Sequence, residues 1–317
     1  MTGSKRLGST TMNRSTAESA RPSIAAIAPP NHGRRKVTAA RVIKSEWTKF
    51  WSVRSTYITM ITAAILTVFL GMVFCAGAAS EAAKMSAAKR AKFDPASASL
   101  NGFFIAQLAI ALLGVVVFSS EFQTGMIRTT FTAVPRRLPV LWAKLLVFGA
   151  TTFAVMALAS LLAFLAGQAL LTPQHLQTSL GTPGVPRVVL GSAVYLTVVG
   201  LLGVAVGAIV RRAVVGIGAM VFVLFVAPIL VTAMSRATSG IGKFLPNYAG
   251  RSLMTTNADP QLLAPGAGFL VLLGYLVVFI GIAALAIRRR DVKEQARSDT
   301  TSGSGQVGYW PCERQQK

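Results

Sequence analysis

Six long apolar stretches limit what this chain can become. They run Tyr57–Ala79, Gly102–Ser119, Leu138–Leu171, Val188–Val210, Ala213–Met234 and Pro265–Ile287. A helix of about 20 residues crosses the roughly 30 Å hydrocarbon layer of a bilayer. There each backbone N–H and C=O must find its partner inside its own segment, which makes such runs helices. Charged residues are 13% of the 317, about half the share of a soluble domain. These features predict an all-α integral membrane protein with six transmembrane helices. Only Arg211 and Arg212 divide the fourth run from the fifth. Each arginine at a span's centre costs about 2.5–3.5 kcal/mol on the insertion scale, so the pair predicts a tight turn. The third run is longer than a span needs and carries Lys144 near its start, which puts its first turns in the interface.

The flanks are of another kind. Residues 1–36 are rich in Ser, Thr, Pro and Arg, hold the single acid Glu18 and contain no apolar run of signal-peptide length. They read as a disordered basic cytosolic extension, and 291–317 as a disordered cytosolic tail, around a membrane domain over 37–290. Just before the first span, Ile43, Trp47, Phe50 and Trp51 fall at i, i+4, i+7 and i+8, with Arg41, Lys44, Ser45, Thr48, Lys49 and Ser52 around the rest. A basic face opposite two tryptophans predicts an N-terminal amphipathic helix lying in the lipid headgroup region. In 235–264, Phe244, Leu245, Tyr248 and Leu253 are too apolar for a plain linker and predict short helices dipping back toward the membrane.

The net charge is +22, with 32 Lys and Arg against 10 Asp and Glu. Its placement argues against nucleic acid, because the basic residues gather at the ends of the apolar runs and on the tails. With the N-terminus in the cytosol, 17 Lys and Arg near the spans lie inside and 8 outside. That excess predicts both termini in the cytosol.

The chemistry that is missing narrows function. None of the ten acids lies inside a run, and Glu121, at the end of the second, comes nearest. Proton- and ion-coupled carriers use carboxylates or histidines within the membrane. The two histidines, His32 and His175, are far apart and without ligand partners at metal spacing, and Cys75 and Cys312 make no disulfide framework. A phosphate-binding loop is absent: Phe244 follows Gly242-Lys243 where Ser or Thr is needed, and Ala237 stands where the first Gly should. No catalytic residue and no metal or cofactor site is expected on this chain. Polar residues in the runs, Gln107 and Gln168 foremost, either bond helix to helix or line a route for an apolar substrate. Gly203 and Gly207 form a small-xxx-small pair for close helix approach.

The loop after the second run reads "SSEFQTGMIRTTFTAVPRRLPVLWAK". Phe122, Met126 and Phe131 could form an apolar side on a short surface helix, with Glu121 pairing at the membrane edge with Arg128. A part-apolar loop with a lone acid reads as a docking surface. This loop, with "RVIKSEWTKFWSVRSTYITMITAAILTVFLG" over 41–71, resembles the permease subunits of type-2 bacterial ATP-binding-cassette (ABC) exporters. The S-E-W-T-K start, the R-S-T-Y lead into the first span and the E-x-x-x-G-x-x-R-T-T loop carry the resemblance, which covers roughly 38–290. It implies that the interfacial helix is an elbow, with Ile43, Trp47, Phe50 and Trp51. It also implies that Glu121, Phe122, Gly125, Met126, Arg128, Thr129 and Phe131 belong to the loop that couples to a separate ATPase. ATP and magnesium would be held by that ATPase, and two permeases, alike or different, would pair in the bacterial plasma membrane to export a substrate. The rival expectation is a membrane scaffold or sensor subunit that docks a cytosolic partner and transports nothing.

Overall fold

The structure, a computed structural model, describes residues 39–123, 138–233, 240, 242–257 and 259–303. Among these residues there is no strand. Helix α1 (Ala39–Ser52) leads into α2 (Arg54–Glu81); two short helices follow, α3 (Ala87–Lys92) and α4 (Pro95–Leu100). Then come α5 (Phe103–Gln123), α6 (Leu138–Leu171) and α7 (Val185–Val210). The fifth apolar run forms α8 (Ala213–Val221), a π-helical segment (Phe222–Val226) and α9 (Ala227–Ala233). Short α10 (Pro246–Leu253) precedes the last helix, α11 (Pro265–Gly303). Six of these stretches are long and apolar enough to cross a membrane, and the chain is an all-α, multi-pass integral membrane protein.

Close packing centres on α7. Within its most apolar window 72% of residues are buried, against 17% for those of α8–α9 and α11, so the latter present side chains to the bilayer or to another chain. Helix α7 meets α5, α6 and α11, while α2 lies on α6 and α5. Without a hydrophobic driving force between helices in lipid, small residues let them approach. Gly200, Gly203 and Gly207 on α7 face Ile110, Ala111 and Val115 on α5. A Cβ on Gly207 would stand 2.6 Å from the Val115 carbonyl oxygen, so the backbones touch where a side chain would part them.

Helix limits follow local chemistry. Arg211 ends α7 in the left-handed region at φ 62° and Arg212 returns to extended backbone at ψ 118°, the turn that the arginine pair predicts. Helix α5 continues to Gln123, beyond the expected end at Ser119, because Glu121 is neutralised inside the protein rather than released to a loop. Helix α11 continues to Gly303, past the expected boundary at 290. The stretch 291–302 has neither Gly nor Pro and holds Lys, Glu, Gln, Ala and Arg, all good helix formers. The extension 1–36 and the tail beyond 303 lie outside the described residues.

The fifth span carries the clearest backbone irregularity. Pro228 has no N–H, so in an α-helical register the Leu224 carbonyl would lose its donor. The helix widens to π over Phe222–Val226, and Asn247 on α10 donates its Nδ2 to Leu224 O at 3.2 Å. This bond ties α10 to the fifth span. Helix α10 also seats Gly250 on the ring of Tyr195, in the middle of α7.

At the end of the bundle away from α1, Asp94 is the knot. It accepts from Ser97 N at 3.1 Å, Ser97 Oγ at 2.8 Å and Thr256 N at 2.8 Å, joining the start of α4 to the segment after α10. Burial pushes this carboxyl up, and hydrogen bonds from the Thr256 and Ser97 amides outweigh it, holding the group below its ordinary range.

Candidate functional site

Four charges meet at the α1 end of the bundle. Helix α1 turns Val42, Glu46 and Phe50, at i, i+4 and i+8, inward. Glu46 is 4% exposed, Glu121 on the last turns of α5 8%, and Lys144 on α6 6%. Lys144 Nζ stands 2.8 Å from Glu46 Oε2 and 2.9 Å from Glu121 Oε1. Lys49, more exposed, holds Glu46 Oε1 at 2.8 Å and reaches Glu121 Oε1 at 3.7 Å. The ammonium of Lys144 therefore joins three elements, α1, α5 and α6.

Each charge here would be costly alone. An ion removed from water costs several kcal/mol, which only close pairing and further hydrogen bonds offset. Burial pushes the Glu46 carboxyl up, and the ammonium groups of Lys144 and Lys49 outweigh it, leaving the group below its ordinary value. The set is a clamp whose members depend on one another. Phe50 adds packing, edge-on to Phe148 of α6 at 6.2 Å between ring centres.

A second contact guards the same end. The Arg211 guanidinium lies 4.5 Å over the ring of Phe122, which stacks at 5.7 Å on Phe118. A cation over an aromatic face is attracted by the ring quadrupole. The turn between α7 and α8 thus holds the last turn of α5, where the chain enters 124–137.

Of the residues expected in the coupling loop, Glu121 and Phe122 end α5 as described, whereas Gly125, Met126, Arg128, Thr129 and Phe131 lie outside the described residues. Glu121 takes Lys144 and Lys49 as partners. On α1, Trp47 and Trp51 are 48% and 45% exposed and tilt against each other at 6.0 Å. Ile43 is half-buried. Phe50, expected on the lipid-facing stripe, packs inward instead, because the inner face of α1 is centred one residue before the Trp47 row.

Gln107 and Gln168 are both engaged in helix-to-helix bonds. Gln107 on α5, fully buried, accepts from the Tyr195 hydroxyl of α7, and its Nε2 has no partner among the described residues. Gln168 donates to Ser99 Oγ at 2.8 Å and to Pro95 O at 3.1 Å, and accepts from Thr178 N at 2.7 Å. No group of three or more His, Cys, Asp or Glu suited to a metal ion exists among the described residues.

Sequence reasoning missed the meeting of Lys144 with Glu46. The usable signal was a lone lysine in an otherwise apolar helix and a lone acid in a basic one. No protein-family model matches the chain, and no curated protein matches it.

Proposed function

We propose that this chain is the membrane-spanning subunit of an ATP-driven exporter of the type-2 ABC class. In this reading α1 is the elbow in the cytosolic interface, 124–137 receives a separate ATPase, and a pair of permeases forms the pathway. Both termini are cytosolic, in a bacterial plasma membrane. ATP and magnesium are bound by the partner.

The observation that carries the reading is the four-charge clamp. Glu121 and Lys144 stand on either side of 124–137, and both are fixed to α1 through Glu46 and Lys49. A load applied to that segment passes to α1, α5 and α6 together, because moving any one of them alone would separate a buried ion pair and leave an uncompensated charge. The motif resemblance assigns the load to an ATPase.

The test is purification of the tagged full chain from its own membranes in mild detergent, followed by reconstitution in nanodiscs. A stoichiometric partner with a phosphate-binding loop is expected, with ATP hydrolysis lost when that loop's lysine is replaced. A chain that purifies without any ATPase, or with a signalling kinase in its place, defeats the exporter reading.

A further inference from the structure

We propose that the cavity beneath α1 binds one zwitterionic glycerophospholipid with a primary-amine headgroup. The cavity, of about 630 Å³, lies between the α1–α2 corner and the adjoining ends of α5 and α6. That volume is in the range of ligand sites, roughly 300–1,000 Å³. The inference rests on the membrane class of the chain and not on the exporter reading.

Two kinds of wall meet in this space. Glu46, Lys49, Glu121 and Lys144 line one part; Val116, Val117, Val147 and Phe148 line another. The rim is open, with Val53 50% and Val116 37% exposed. Its depth fits the headgroup boundary. Glu121 stands on the last turn of α5, and Lys144 is about 9 Å along α6 from that helix's first residue. Water would wet the charged wall and leave the valines unfavourably hydrated; an acyl chain alone would desolvate the charges. An amphiphile satisfies both.

The charges select the headgroup. Two carboxylates and two ammonium groups sum to zero, so a headgroup with net negative charge meets no net attraction. A zwitterion has a partner for each end: the phosphate faces Lys49, whose side chain is 27% exposed, and the amine faces Glu121. A primary ammonium has N–H donors for a carboxylate, which a quaternary choline lacks.

The experiment is native mass spectrometry of the full chain, reconstituted in vesicles of equal parts phosphatidylethanolamine, phosphatidylcholine and phosphatidylglycerol and then extracted. One retained lipid per chain is expected, with ethanolamine enriched about tenfold over the other two, the scale of a hydrogen bond to a charged group. Val117→Trp, which fills the apolar part, should abolish retention, and Glu121→Gln should remove the ethanolamine preference. If Val117→Trp does not elute as a folded species, Val116→Phe at the rim reads the same loss. Chain-free glycerophosphoethanolamine at millimolar concentration should not displace the lipid. The proposal is overturned by a wild-type chain with no retained lipid, by equal retention of the three headgroups, by undiminished retention in the filled variant, or by displacement with the chain-free headgroup.

Discussion

Lys144 of α6 reaches Glu46 of α1 at 2.8 Å, and the same ammonium holds Glu121 of α5 at 2.9 Å. Removing Lys144 leaves two buried carboxylates to the more exposed Lys49 alone; removing all three charges takes both carboxylates from Lys49, whose side chain is 27% exposed and open to water. Lys144→Met should therefore cost about 3–5 kcal/mol, and adding Glu46→Gln and Glu121→Gln should recover part of that loss. Thermal unfolding followed by fluorescence-detected size exclusion reads the difference. A single variant as stable as the triple one would show that the cluster contributes no coupling.

The same cluster sets an acid limit. Glu46 has its carboxyl below the ordinary 4.5 in the folded protein. Its stabilisation is complete above the unfolded value and is lost as pH falls through the lower folded one. Between pH 7 and 5 the clamp should hold. Below about pH 4.5 α1 should loosen, seen as a change in Trp47 and Trp51 emission, and Glu46→Gln should remove that step. A transition centred near pH 6 would require a different titrating group.

The fifth span makes a separate prediction. Asn247 Nδ2 supplies the Leu224 carbonyl with the donor that Pro228 cannot provide. Asn247→Ala should cost about 1 kcal/mol by taking this side-chain donor from the carbonyl. In a Pro228→Ala background, where the helix regains its N–H, the same change should cost less. A double-mutant cycle with melting temperatures measures this coupling, and strict additivity would contradict the assignment.

The spans were legible because lipid leaves an apolar run only one way to satisfy its backbone, and Arg211-Arg212 marked the turn by charge alone. The charge cluster was not. Lys144 and Glu46 are far apart in sequence, and only the packing of α1 on α6 brings them together. The inner face of α1 was hidden for a related reason. A face centred on a paired Glu46 does not look apolar, so the Trp47 and Trp51 stripe was the more visible one. Its two tryptophans are exposed, while Phe50 goes in with Val42.

Glycines separate into those the packing needs and those it does not. A Cβ on Gly207 meets the Val115 carbonyl at 2.6 Å, whereas one on Gly281 meets nothing within 4 Å. Gly207→Ala should lose about 1–3 kcal/mol by forcing α5 and α7 apart. Gly281→Ala should be neutral or gain up to about 1 kcal/mol from lower backbone entropy. Equal melting temperatures for the two variants would mean that the α5–α7 contact is not tight.

Orientation is open to a chemical test that uses the protein's own cysteines. The proposed orientation rests on charge asymmetry: Lys and Arg concentrate around α1, the segment 124–137, the Arg211-Arg212 turn and the end of the last span, the pattern expected of cytosolic ends. The opposite end, with α3 and the Asp94 knot, then faces outward. Cys75 is fully buried, so a membrane-impermeant maleimide applied to intact cells should not reach it. Cys312 follows the last span and should react only after permeabilisation. Ala88→Cys, at an exposed position of α3, should react at once in intact cells. Labelling of Cys312 in intact cells, or protection of Ala88→Cys until lysis, would invert the topology. The 124–137 loop would then be out of reach of any cytosolic ATPase, and the exporter reading would fail with it.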